Sequence, residues 1–203
     1  MWPWLVLARA AGQTISYSGG TLAENFDSLG PNGTNTPPGW FAGWSGTGVS
    51  FTTNITVGNG SVAPTSAAGW NFGTTGAADR ALGVAATGSS TPTPPGANRF
   101  LEVRIRNATP ASIPAIHVRY DGEEWRTGSS SSIVNSNALQ FSADGVNFTG
   151  LGPAFRFVQP VFTPVSTALD GNSAANRIAN LGGQYTLPRA SRSLQATDSP
   201  PWR

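Results

Sequence analysis

The sequence predicts an all-β domain, its antiparallel strands packed as a two-sheet sandwich, on three observations. The first is two-residue alternation over Asn98–Arg126. There Leu101, Val103 and Ile105 point one way and Glu102, Arg104 and Arg106 the other, and Ile116, Val118 and Tyr120 alternate with Ala115, His117 and Arg119. The second is composition: Gly 25 and Pro 16, among abundant Ser, Thr and Asn, interrupt helices and supply turns between short strands. The third is an apolar content of 38%, enough to fill a sandwich interior in a chain of 203 residues, which has room for one domain with a two-layer core.

Along the chain, Met1–Leu7 is apolar and runs into Ala8-Arg9-Ala10-Ala11, a small-x-small pattern like a signal-peptidase site. Residues 1–11 therefore read as the remnant of a secretion signal whose start is lost, cleaved near Ala10 or Ala11. The sandwich is expected over residues 12–187. Thr14 to Tyr17 alternates weakly, and Leu22 to Leu29 reads as a first strand. A long loop holding Asn32 and Pro37-Pro38 follows, then Trp40, Phe41 and Trp44. Short strands are expected within 49–57 and 69–73. Ala77–Gly83 is the one stretch of helix formers, and Gly88–Gly96 is a surface loop. The alternating segments of Asn98–Arg126, joined through Asn107–Ser112 with Pro110, form a hairpin or neighbouring strands of one sheet. Asn137 to Phe141 leads into a hairpin whose turn is Asp144-Gly145. Pro153 to Pro164, with Phe155, Phe157, Val161 and Phe162, adds one or two core-facing strands. Leu169 to Gly183 is small and polar and reads as a loop. Residues 188–203 mix Arg, Ser and Pro without alternation, as a disordered or frameshifted tail does.

Charge narrows the function classes. Only 11% of the chain is charged, the net charge is +2, and every basic residue is Arg. Those arginines are scattered. Arg104, Arg106 and Arg119 would share a wet sheet face with Glu102 among them, which is a solvated face and no nucleic-acid footprint. Without cysteine there is neither a disulfide nor a thiolate metal site. No run approaches the length of a membrane span.

Four motifs then stand out: Glu24-Asn25-Phe26-Asp27-Ser28-Leu29, Pro37-Pro38-Gly39-Trp40, Ala78-Asp79-Arg80-Ala81-Leu82-Gly83, and Tyr120-Asp121-Gly122-Glu123-Glu124-Trp125-Arg126. In order and spacing, over residues 22 to 183, they resemble an uncharacterised domain of secreted bacterial surface proteins that often end in a PEP-CTERM sorting signal. That resemblance implies a lectin-like jelly-roll sandwich on an exported protein, with no catalytic residues to carry over. It also implies a closing strand beside the first one, and because Gly182-Gly183 runs into the tail, either that strand or the sorting signal is expected to be missing.

Candidate chemistry is sparse. Glu123 and Glu124 are adjacent and face opposite sides of a strand, so they are not the facing carboxylate pair of a glycan hydrolase. Either would need Asp27 or Asp79 as partner. The simpler expectation is an ion pair between one glutamate and Arg126, with Trp125 in the core. His117 is the single histidine, too little for a zinc site, and no Gly-x-Ser-x-Gly elbow is present. Asp144 with Asn147, and Asp170 with Asn172, offer clustered oxygens for a structural calcium ion, although both stretches are equally turn formers. Trp40, Trp44 and Trp70 are candidate stacking surfaces for a sugar, with Asp79 and Arg126 as polar contacts. The same aromatics would serve equally as a plug at an open end of the sandwich. The expectation is thus an exported, non-catalytic surface module, carbohydrate-binding or adhesive, with polysaccharide or cell-surface glycan as partner; the alternative is a purely structural spacer, and a glycan hydrolase ranks third. Exposure of the tryptophans discriminates between the first two.

Overall fold

The structure, a computed structural model, describes residues 13–45, 49–62, 68–85, 98–127, 135–163 and 165–188. The secretion-signal segment 1–11, the loop Gly88–Gly96 and all but Pro188 of the tail lie outside them. The described residues are all-β in several small sheets, and their only helical pieces are three single 3-10 turns.

Two three-stranded sheets make the core. In the first, β2 (Trp40–Ser45) lies between β3 (Val49–Thr52) and β7 (Asn98–Val103), antiparallel to both. In the second, β5 (Trp70–Phe72) pairs in parallel with β4 (Thr56–Gly58) and antiparallel with β6 (Ala81–Gly83). Alternation on β2 sends Trp40, Ala42 and Trp44 inward, where they meet Leu29, Ile55, Ala68, Leu82 and Leu101. All three residues of β5 are buried, because this strand is covered on both faces. One face supplies Asn71. The other supplies Trp70 and Phe72, stacked against Trp125.

The alternating segments 98–126 do not pair with each other. The ladder of β7 with β2 ends at Val103, and Arg104 then bridges two elements, its N–H donating to Gly39 O and its carbonyl accepting from Ile15 N. Beyond it, β8 (Ile105–Asn107) runs parallel to β1 (Ile15–Tyr17). This kink breaks the expected alternation and leaves Ile105 exposed. After an Asx turn at Asn107, closed by Thr109 N and Ala111 O, β9 (Ala115–Glu123) pairs antiparallel with β14 (Arg177–Thr186).

Strand β14 corrects one expectation: Leu169 to Gly183 is not all loop, since a long strand begins at Arg177, and it lies beside β9 and not beside the first strand. A bulge between Ile178 and Leu181 admits Asn180 at φ 61, held by its N–H to the Asp121 carboxylate at 2.8 Å. Leu22 to Leu29 is likewise no strand: Phe26 turns at φ 65 into a 3-10 turn over Asp27–Leu29. Asp144 does sit in a hairpin loop, between β11 (Gln140–Phe141) and β12 (Thr149–Gly150), but that loop spans Ser142 to Phe148 and is wider than a two-residue turn. It follows β10 (Ser136–Ala138), which pairs with β13 (Arg156–Val158). Within Pro153 to Pro164, Phe155 and Phe157 are buried as expected, whereas Phe162 is exposed.

Candidate functional site

The first three motifs converge on one buried polar clamp. Arg80, only 3% exposed, donates from Nε to Asn71 Oδ1 and from Nη2 to Asn71 O, both at 2.7 Å, and from Nη1 to Thr74 O at 3.3 Å. Asn71, fully buried, turns its Nδ2 the other way, to Gly30 O at 3.0 Å and Gly33 O at 2.9 Å. Asp27 accepts the main-chain N–H of Arg80 and the side-chain amide of Asn25. Beside it, Phe26 meets Trp40 edge-on at 4.9 Å. Burial lowers the Arg80 guanidinium from its usual value, while the charge of Asp79 counters the shift. The clamp ties loop 26–36 to the central strand β5.

The fourth motif closes the opposite face. The ring of Trp125 lies parallel to Phe72 at 6.1 Å, and Phe72 parallel to Trp70 at 5.6 Å, a three-ring stack. Trp125 Nε1 donates to Glu123 Oε2 at 3.0 Å. Glu124 faces inward and accepts from Val161 N at 2.9 Å, its other oxygen buried without a partner. Desolvation raises both carboxyls above the usual glutamate value. Glu123 is held back by its bond from Trp125 and raised further by Asp79, and Glu124 is held back by the bond from Val161. Thr127 and Gln159, both buried, pin the following segment. Thr127 Oγ1 accepts from Thr167 N at 2.8 Å, and Gln159 Oε1 accepts from Asn135 N at 2.9 Å. The expected glutamate–Arg126 ion pair does not form: Arg126 donates to Gly60 O, and its strand bridge is to Ala168.

The candidate sugar residues do not make one platform. Trp70 is 4% exposed, stacked in the core. Trp40 is packed against the inner cluster with its Nε1 buried, Trp44 lies half-buried on the same inner face, and neither belongs to a loop. Asp79 is exposed and Arg126 half-buried. The Arg99 guanidinium lies 5.5 Å from the Trp44 ring, with both terminal nitrogens buried and unbonded. On the outer face of the same sheet, Arg104 covers Phe41 and Phe51 at 4.1 and 4.7 Å and pairs with Glu102 at 2.6 Å. Arg106 instead reaches Ser16 and Arg119 reaches Asn180, so the three arginines share no patch.

Of the candidate calcium residues, Asp144 has its carboxylate occupied by its own loop. Asp144 accepts from Val146 N, Asn147 N, Asn147 Nδ2 and Ser142 Oγ, all within 2.9 Å, and these bonds hold its carboxyl far below the usual range. Asp170 accepts from Asn172 N, closing a separate turn. Among the described residues no three His, Cys, Asp or Glu side chains are grouped to hold a metal ion.

Sequence reasoning passed over Asn71, Thr127 and Gln159. For Asn71 a signal existed, since it stands between Trp70 and Phe72, and a polar residue there in a doubly buried strand must find partners inside. Compared with protein families, with curated proteins and with solved structures, the chain matches none. Among the described residues no helix is long and apolar enough to cross a membrane.

Proposed function

We propose that this chain is an exported, non-catalytic module of a bacterial surface protein, a β-sandwich of lectin-like jelly-roll type serving as a structural or spacer domain. One observation carries the reading. Five side chains of its distinguishing motifs and expected sugar platform, Phe26, Trp40, Trp70, Arg80 and Trp125, are engaged with neighbouring residues of the fold. Side chains used in this way build an interior and leave little to recognise a ligand. The test is a glycan-array screen of the folded protein, followed by sugar titration of its tryptophan fluorescence with and without calcium. No saturable response from folded protein is expected, and a sugar-dependent quench lost in Trp70→Phe would overturn the reading.

A further inference from the structure

The chain contains two Asn-Gly pairs, Asn32-Gly33 and Asn59-Gly60, and their surroundings differ. Asn59 is held from both ends of its amide. Its Oδ1 accepts from Ser61 N at 3.0 Å and Ser61 Oγ at 2.5 Å, and its Nδ2 donates to Thr75 Oγ1 at 3.1 Å. Asn32 is exposed on a turn, and its side chain makes no hydrogen bond among the described residues. Its neighbour cannot be anything but glycine, because a Cβ on Gly33 would fall 2.0 Å from Leu29 O. The residue type that leaves a main-chain nitrogen least hindered is therefore forced to follow an unrestrained asparagine.

We infer that Asn32 is a site of spontaneous deamidation and isoaspartate formation in the folded protein, and that the change loosens the Arg80–Asn71 clamp. The deprotonated Gly33 nitrogen attacks Asn32 Cγ. A new C–N bond closes a five-membered succinimide, and the Cγ–Nδ2 bond breaks to release ammonia. Water then opens either carbonyl, giving aspartate or isoaspartate, so the net reaction is amide plus water to acid plus ammonia. Isoaspartate inserts a methylene into the main chain immediately before Gly33. The carbonyl of that same glycine accepts Asn71 Nδ2 at 2.9 Å, so the lengthened chain displaces a clamp partner.

The experiment ages the folded full chain in mildly alkaline buffer and follows it by peptide mass mapping, isoaspartyl methyltransferase labelling and thermal unfolding. Asn32 is expected to convert at least about tenfold faster than Asn59, whose amide must first leave its hydrogen bonds, and the Tm is expected to fall as conversion proceeds. Asn32→Ser, with Asn32→Gln as the second variant should serine disturb the turn, abolishes both the label and the fall in Tm. In denaturant the two pairs convert at similar rates. Equal rates in the folded protein, an intact Asn32, or a difference that persists in denaturant overturns the inference. Conversion at Asn32 with an unchanged Tm overturns its link to the clamp.

Discussion

Arg80 and Asn71 are joined twice, Nε to Oδ1 and Nη2 to the main-chain O, each at 2.7 Å, in a pocket that excludes solvent from both residues. A guanidinium held by one neutral residue on two sides has fixed geometry, and its partner's amide then fixes the loop carbonyls of Gly30 and Gly33.

Asn71→Ala leaves a buried cationic donor and two carbonyls without partners. It is expected to lower stability by about 3 kcal/mol or more, measured by urea unfolding. Arg80→Lys is expected to be destabilising as well, since an ammonium cannot present two parallel donors to one residue.

Gly43 lies in β2 beneath the Phe100 ring. An added Cβ would stand 2.3 Å from Ser50 O and 2.6 Å from Phe100 Cζ. Gly43→Ala is expected to cost about 1–3 kcal/mol by overpacking. Gly150→Ala, in open space, is the control and leaves the urea midpoint unchanged.

The raised carboxyls set a pH dependence. Between the ordinary glutamate value of 4.5 and the higher folded values of Glu123 and Glu124, the folded state binds more protons than the unfolded, so stability falls as pH rises through that window and is level above it. Asp144 acts oppositely: its contribution is present above its ordinary value of 3.8 and is lost as pH falls below it. Tm measured against pH is expected to peak on the acid side, with a shallower decline above the peak in Glu124→Gln and a shallower acid limb in Asp144→Ala.

Because Asp144 spends its oxygens on four donors of its own loop, added calcium or a chelator is expected to leave the Tm unchanged. A rise in Tm with calcium that Asp144→Ala abolishes would contradict this.

The all-β class was legible because alternation and turn residues are local properties, and the core position of Trp125 followed from its size. Pairing was less legible. β14 hid because Ala179, Gly182 and Gly183 carry little side chain, and its register with β9 is written in main-chain hydrogen bonds. The hairpin expected within Asn98–Arg126 failed at Arg104, where main-chain bonds to Gly39 and Ile15 carry the chain from one sheet to another. At the candidate site, which way a strand tryptophan faces depends on what covers the strand, and alternation alone does not tell. β5 is covered on both sides, so Trp70 and Asn71 are both interior.

The account rests on motif aromatics that face the interior. The most direct measurement is fluorine NMR of protein carrying 5-fluorotryptophan, each resonance assigned by single replacement and then exposed to a soluble paramagnetic agent. Trp70 and Trp125 are expected to stay sharp and to remain unmoved by glycan. Broadening of the Trp70 signal, or a shift of it on adding sugar, would contradict the account.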